Sequence, residues 1–317
     1  MTFADPSSLS GPEDELPGAP GPEPVPVEPP GYLWRPIEPP APPPLEALPP
    51  RPPRLIPNLG HALVFFALLV PSFIGGYILS FFFLLGFHLA NPHTLVQEMT
   101  HNVVYAMSMQ AAWYAVQWAL AALVFSLWWH RSMTSGIHWN NGAALRWFWR
   151  LALVGVATGL VITIAGNFLP MPKAPPILED MTKSATGAWI LMAFGITVAP
   201  LTEELAFRGF LLPGLINTFR WMARREMLSE EAARALGIPI AIVLTSIPFA
   251  LLHAQQVSDS WGPLLLIGMV SVILCIVRLV TDSVATGVLV HATYNFTLFA
   301  GLLVQTDGFR HLDKLKG

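Results

Sequence analysis

Residues 186–212 read TGAWILMAFGITVAPLTEELAFRGFLL. The run has no charge before Glu203, carries Glu203, Glu204 and Arg208 within six residues, and is apolar again to Leu212. At 27 residues it is long enough to cross a bilayer, which takes roughly 20. A charge at bilayer depth costs about 2.5–3.5 kcal/mol on insertion scales, so three so close together need a reason. Six further apolar runs flank it, near 60–88, 103–129, 147–169, 239–255, 263–281 and 284–304. The pattern predicts an all-α, polytopic transmembrane helical bundle of about seven spans, possibly eight if the long first run divides at Pro71 and Gly75-Gly76. No internal repeat supports an inverted-repeat transporter.

Composition agrees. Of 317 residues 53% are hydrophobic and 12% charged, and the mean hydropathy is +0.54. A soluble domain carries about twice that charged fraction. The net charge of −3 argues against a nucleic-acid partner, which needs clustered Lys and Arg. One cysteine, Cys275, excludes an intrachain disulfide framework and any multi-cysteine metal site.

The prolines concentrate at the start: residues 1–57 hold 20 of the 31, with eight acids against Arg35, Arg51 and Arg54. Such a segment cannot bury enough apolar surface to offset its ordering entropy. It reads as a disordered acidic tail, with polyproline II at 42–44 and 49–53. A solvated tether is its plainest role, and a Pro-recognition module the partner class it would suit. Nothing apolar enough for a signal peptide precedes about residue 59. The remaining divisions are N-terminal helices over 58–185, a helical core over 186–304 that holds the intramembrane charges, and a C-terminal tail over 305–317.

Lysines and arginines set the expected orientation. Arg131, Arg146, Arg220, Arg224, Arg225 and Arg234 fall in alternate connections, on the side of the N-terminal tail. That side is expected to be cytoplasmic, whereas Arg310, Lys314 and Lys316 leave the position of the carboxyl end open. Within 213–238, Ser229 is expected to cap a short helix that stops at Gly237, before Pro239. Phe219 to Arg225 mixes aromatic and basic residues, as an interfacial anchor does.

Within the spans, Glu204 and Arg208 stand i and i+4 with the acid first, the favourable order for an intrahelical pair. Glu203 points about 100° away from Glu204 and has no such partner. Pro200 can kink the span beside them. His253 lies near the end of the fifth span. His291 and Asn295 share a face of the seventh, where interhelical polar glue is the plainer reading. Arg278 and Asp282 form a further i,i+4 pair. Together these supply a free carboxylate, two imidazoles and an amide from three helices. A carboxylate with an imidazole can activate water, and an imidazole with an amide can stabilise an oxyanion. That set suits amide hydrolysis without a covalent intermediate.

The three motifs, Glu203-Glu204-x-x-x-Arg208, Phe249-x-x-x-His253 and His291-x-x-x-Asn295, resemble those of the CPBP intramembrane proteases. That family includes the type II CAAX prenyl proteases and relatives linked to bacteriocin immunity. The resemblance covers roughly 186–300 and implies a multi-helix membrane fold and a glutamic endopeptidase with no required metal cofactor. It further implies Glu203 as general base, His253 as its assistant, and His291 with Asn295 as the oxyanion hole. Glu204, Arg208 and Arg278 would be structural or orienting. The implied partners are the lipid bilayer and a peptide or membrane-protein substrate, and the location a bacterial inner membrane. Two other classes stay open. One is a zinc metalloprotease on Glu203, His253 and His291, although no H-E-x-x-H occurs. The other is a non-catalytic scaffold or immunity protein.

Overall fold

The structure, a computed structural model, describes residues 55–86, 102–172 and 183–315. The expected tail conformation, its polyproline stretches and its Pro-recognition partner fall on residues outside these. Leu55–Pro57, read from sequence as the end of the tail, pack against the bundle: the Asn217 amide donates to the Pro57 carbonyl at 2.7 Å.

The described residues hold seven helical segments long and apolar enough to cross a membrane. The first span is α1 (Leu59–Ala67) and α2 (Leu69–Gly86). Then come α3 (Val103–Trp129), the short α4 (Met133–Gly136) and α5 (Asn141–Arg146), and α6 (Phe148–Gly166). The fourth span is composite: α7 (Ala185–Ile196), α8 (Val198–Glu204), a π-helical stretch over Leu205–Leu211 and α9 (Leu212–Arg224). Next are α10 (Glu230–Leu251), α11 (Trp261–Thr281) and α12 (Val284–Gln305). Outward faces carry large apolar side chains such as Phe82, Leu127, Leu153 and Ile164, as lipid requires.

Prolines explain where the spans break. A proline ring clashes with the carbonyl four residues earlier. For Pro71 that residue is Ala67, the last of α1; for Pro200 it is Ile196, the last of α7. Pro213 points back to Gly209, inside the π stretch. The first span is therefore bent at Leu68, ahead of the Pro71 and Gly75-Gly76 that sequence suggested.

Two expectations are corrected. The fourth span does not stop at 212 but continues as helix to Arg224. Ser229 does cap a helix, its Oγ accepting from the Ala232 N–H at 3.1 Å, but that helix runs through Gly237 and Pro239 to Leu251. Gly237 is a crossing point rather than a stop. A Cβ there would lie 2.9 Å from the Phe219 Cβ, so its absence lets α9 and α10 pack.

The helix that carries His291 and Asn295 is seated by a glycine seam. Gly155 and Gly159, four apart on α6, face Val290, Thr293, Tyr294 and Thr297 of α12. A Cβ on Gly155 would come within 2.6 Å of the Val290 carbonyl oxygen. Close backbone approach at small residues four apart is a standard membrane helix pairing. Gly155→Ala is expected to cost about 1–3 kcal/mol by overpacking, read as a lower detergent-unfolding midpoint. An unchanged midpoint would mean the seam opens freely.

Contacts between loops sort the connections by end. The loop after α3 meets the α11–α12 turn: the Val284 N–H donates to the His138 carbonyl at 3.2 Å, and His138 pairs with Asp282. With the Asn217–Pro57 bond, these put the start of the first span, the α3–α6 connection, the α9–α10 turn and the α11–α12 turn at one end. At the other end Phe309 packs edge-on against Trp189 at the start of α7. The carboxyl-terminal segment thus lies opposite the start of the first span, the point that sequence left open.

Candidate active site

Glu204 is the buried anchor. Its Oε1 accepts from Arg208 Nη1 at 3.0 Å, the expected i,i+4 pair, and both side chains have no solvent exposure. Three more contacts steady the guanidinium. Nη2 donates to the Ser271 carbonyl at 2.9 Å and its hydroxyl at 2.8 Å, and the Phe249 ring lies 4.5 Å away. The π-helical turn begins immediately after Glu204. Such turns inside α-helices recur at functional sites because they re-aim side chains.

His291 joins this anchor to the reactive edge. Its Nδ1 lies 3.0 Å from Glu204 Oε1, so the Nδ1–H donates to the buried carboxylate and the ring is held in one orientation. Gly287, one turn earlier, makes room: a Cβ there would lie 2.8 Å from Glu204 Oε2. The far nitrogen, Nε2, stands 3.7 Å from Glu203 Oε2.

His253 reaches the same oxygen from the other side. It sits just past the end of α10, in a turn rather than on the span. Helix ends leave carbonyls without intrahelical partners, and His253 Nδ1 satisfies one by donating to Phe249 at 2.9 Å. The motif spacing is therefore a C-terminal cap. With Nδ1 protonated, the neutral ring turns its Nε2 lone pair toward Glu203 Oε2, 3.9 Å away.

Glu203 thus faces two imidazole nitrogens, each beyond hydrogen-bond length, and its Oε2 has no hydrogen-bond partner. Glu203 and His253 are about one-fifth exposed, whereas Glu204 and Arg208 are sealed. A gap of this size between polar groups is one that water bridges. Two neighbouring carboxylates are thereby split into a structural anchor and a reachable group.

Asn295 shares the α12 face with His291. Its Nδ2 donates to the Gly195 carbonyl at 2.6 Å, tying α12 to the end of α7. The amide carries a second N–H. Arg278 does not touch the reactive edge but braces the turn behind it. Its Nε donates to the Arg208 carbonyl and Nη2 to that of Ile137, both at 3.3 Å, while Nη1 pairs with Asp282 at 2.9 Å. Partial burial would raise the Asp282 carboxyl, but hydrogen bonds from Arg278 and His138 outweigh it and hold it below the usual carboxylate range. Asp282 also takes a left-handed backbone, with φ 45°.

Sequence reasoning missed the bond between Glu204 and His291, the Ser271 brace and the Gly287 clearance. Gly287 was findable, since it stands four residues before His291 on one helix face. Ser271 carried no signal within an apolar run. Among the described residues no group of three His, Cys, Asp or Glu side chains is arranged to hold a metal ion.

No curated protein and no solved structure matches the chain significantly. Residues 185–297 match the family model for the type II CAAX prenyl endopeptidase Rce1-like proteins. The matched segment begins at α7 and ends just past Asn295, so it contains all three motifs; α1 to α6 lie outside it. With seven apolar spans among the described residues, the chain is a multi-pass membrane protein, and its residues 185–297 are similar to the Rce1-like, CAAX-type intramembrane proteases.

Proposed function

We propose that this protein is a glutamic intramembrane endopeptidase that cuts a membrane-associated peptide with water activated by Glu203. The observation that carries the reading is the convergence of Glu203 Oε2 with His253 Nε2 at 3.9 Å and His291 Nε2 at 3.7 Å, beside a sealed Glu204–Arg208 pair. Water held between Glu203 and His253 loses a proton to Glu203 as its oxygen bonds to the scissile carbonyl carbon. The developing oxyanion is met by a protonated His291 Nε2, its positive charge supported by Glu204, and by the second N–H of Asn295. When the C–N bond breaks, the proton passes from Glu203 or His253 to the leaving amine. Removing one oxyanion donor typically costs about 10²–10³ in kcat. On the Lys/Arg rule, the end holding Arg131, Arg146, Arg220 and Arg225 faces the cytoplasm, together with the start of the first span. The family's description makes a farnesylated peptide with a C-terminal CaaX sequence the first substrate to try.

A zinc enzyme on Glu203, His253 and His291 is the rival that the sequence left open, although these three are not arranged as a metal-holding group among the described residues. A zinc enzyme depends on its metal to lower the pKa of bound water and to polarise the carbonyl. The glutamic reading depends on no metal, and Cys275, buried on α11, takes no part in it. Purified protein is therefore expected to keep its peptidase rate after dialysis against EDTA or phenanthroline and after thiol alkylation, with zinc well below one per chain. Stoichiometric zinc, with activity lost on chelation and restored by added metal, would move the assignment to the metalloenzyme.

A further inference from the structure

The inner stripe of α3 changes character along its length. Gln117, Ala121 and Phe125 are fully buried, and Gln117 is consumed by structure: its amide donates to the Phe65 carbonyl at 2.9 Å and its oxygen accepts from Ser72 at 2.7 Å. Tyr114 and Gln110 continue the same stripe one and two turns earlier, yet both are partly exposed. Among the described residues their polar ends reach no other helix. Gln110 Nε2 donates to the Tyr114 hydroxyl at 2.9 Å, which fills an acceptor position and leaves the hydroxyl proton without an acceptor among the described residues.

The ring's neighbours locate that proton. Tyr114 packs against Phe194, with centroids 6.0 Å apart. Phe194 directly precedes Gly195, whose carbonyl takes the Asn295 amide. Tyr114 and Asn295 therefore flank the same end of α7, two residues before the break that precedes α8 and Glu203.

We infer that Tyr114, from a helix outside the matched family segment, binds the substrate by donating its hydroxyl hydrogen to a backbone carbonyl of a peptide held beside Glu203. The inference rests on the proteolytic reading above. An extended peptide has carbonyls to spare, and a phenol whose acceptor side is already occupied offers it a donor with one role. Gln110 fixes that role by occupying the oxygen. A structural tyrosine would differ, because its contribution would lie in ring packing against Phe194 and Trp113, which phenylalanine preserves.

The test is Tyr114→Phe in the full chain, with a farnesylated CaaX peptide as probe. Cleavage is measured in the otherwise wild-type protein and peptide binding in a Glu203→Gln background. A neutral hydrogen bond lost on substitution is expected to raise both KM and the dissociation constant about three- to tenfold, with kcat and the unfolding midpoint little changed. Wild-type KM and binding in Tyr114→Phe, beside an inactive Glu203→Gln, would overturn this inference alone. Unaltered binding with a fall only in kcat would overturn it too, by removing Tyr114 from substrate capture. Full cleavage by Glu203→Gln would overturn the proteolytic reading, and this inference with it.

Discussion

Glu203→Gln is expected to abolish peptide hydrolysis while leaving the protein as stable as wild type. Loss of a positioned general base costs about 10²–10⁴ in rate, and in the proposed mechanism the same oxygen also holds the water. The fold should be indifferent, because Glu203 Oε2 has no hydrogen-bond partner and the nearest imidazole nitrogens stand at 3.7 and 3.9 Å. An amide of the same shape fills the space without stranding another group. Cleavage kinetics and a thermal unfolding scan on one preparation check both halves. Retained turnover would remove Glu203 from the chemistry; a large drop in midpoint would make it structural.

Glu204→Gln should do the reverse first. Arg208 is fully buried, and its charge is met by the Glu204 carboxylate at 3.0 Å. Removing one half of a buried ion pair costs about 3–5 kcal/mol, because the other half is left uncompensated. The same oxygen orients His291, so surviving protein should also be poorly active. Low yield, a depressed midpoint and slow cleavage should appear together. A Glu204→Gln protein as stable as wild type would show that Ser271 and Phe249 satisfy Arg208 unaided.

The i,i+4 logic that paired Glu204 with Arg208 was readable in the chain because helix geometry is local. Glu203 was separable from Glu204 for the same reason. The bond from His291 to Glu204 spans 87 residues, and no spacing rule reports a contact between helices. His253 illustrates an intermediate case: its place in the motif was visible, but its role as a helix cap depends on α10 ending at Leu251. The errors at Gly237 and Leu212 share one cause. Glycine and proline read locally as helix ends, but α9 packs against α10 with Phe219 seated on Gly237, and that contact between helices carries both through their punctuation. The Gly155–Gly159 seam, which seats the helix that carries His291, was not read from the sequence although its small residues stand four apart.

The central claim is that Glu203 makes this chain a protease. The most direct measurement is a comparison of membrane-protein termini in cells expressing wild type and Glu203→Gln at equal levels, by mass spectrometry of terminal peptides. Termini present with wild type and absent with the variant are expected, and a peptide spanning the cut site should be cleaved by purified wild type alone. Identical sets of termini in the two, with both proteins folded and inserted, would contradict the account.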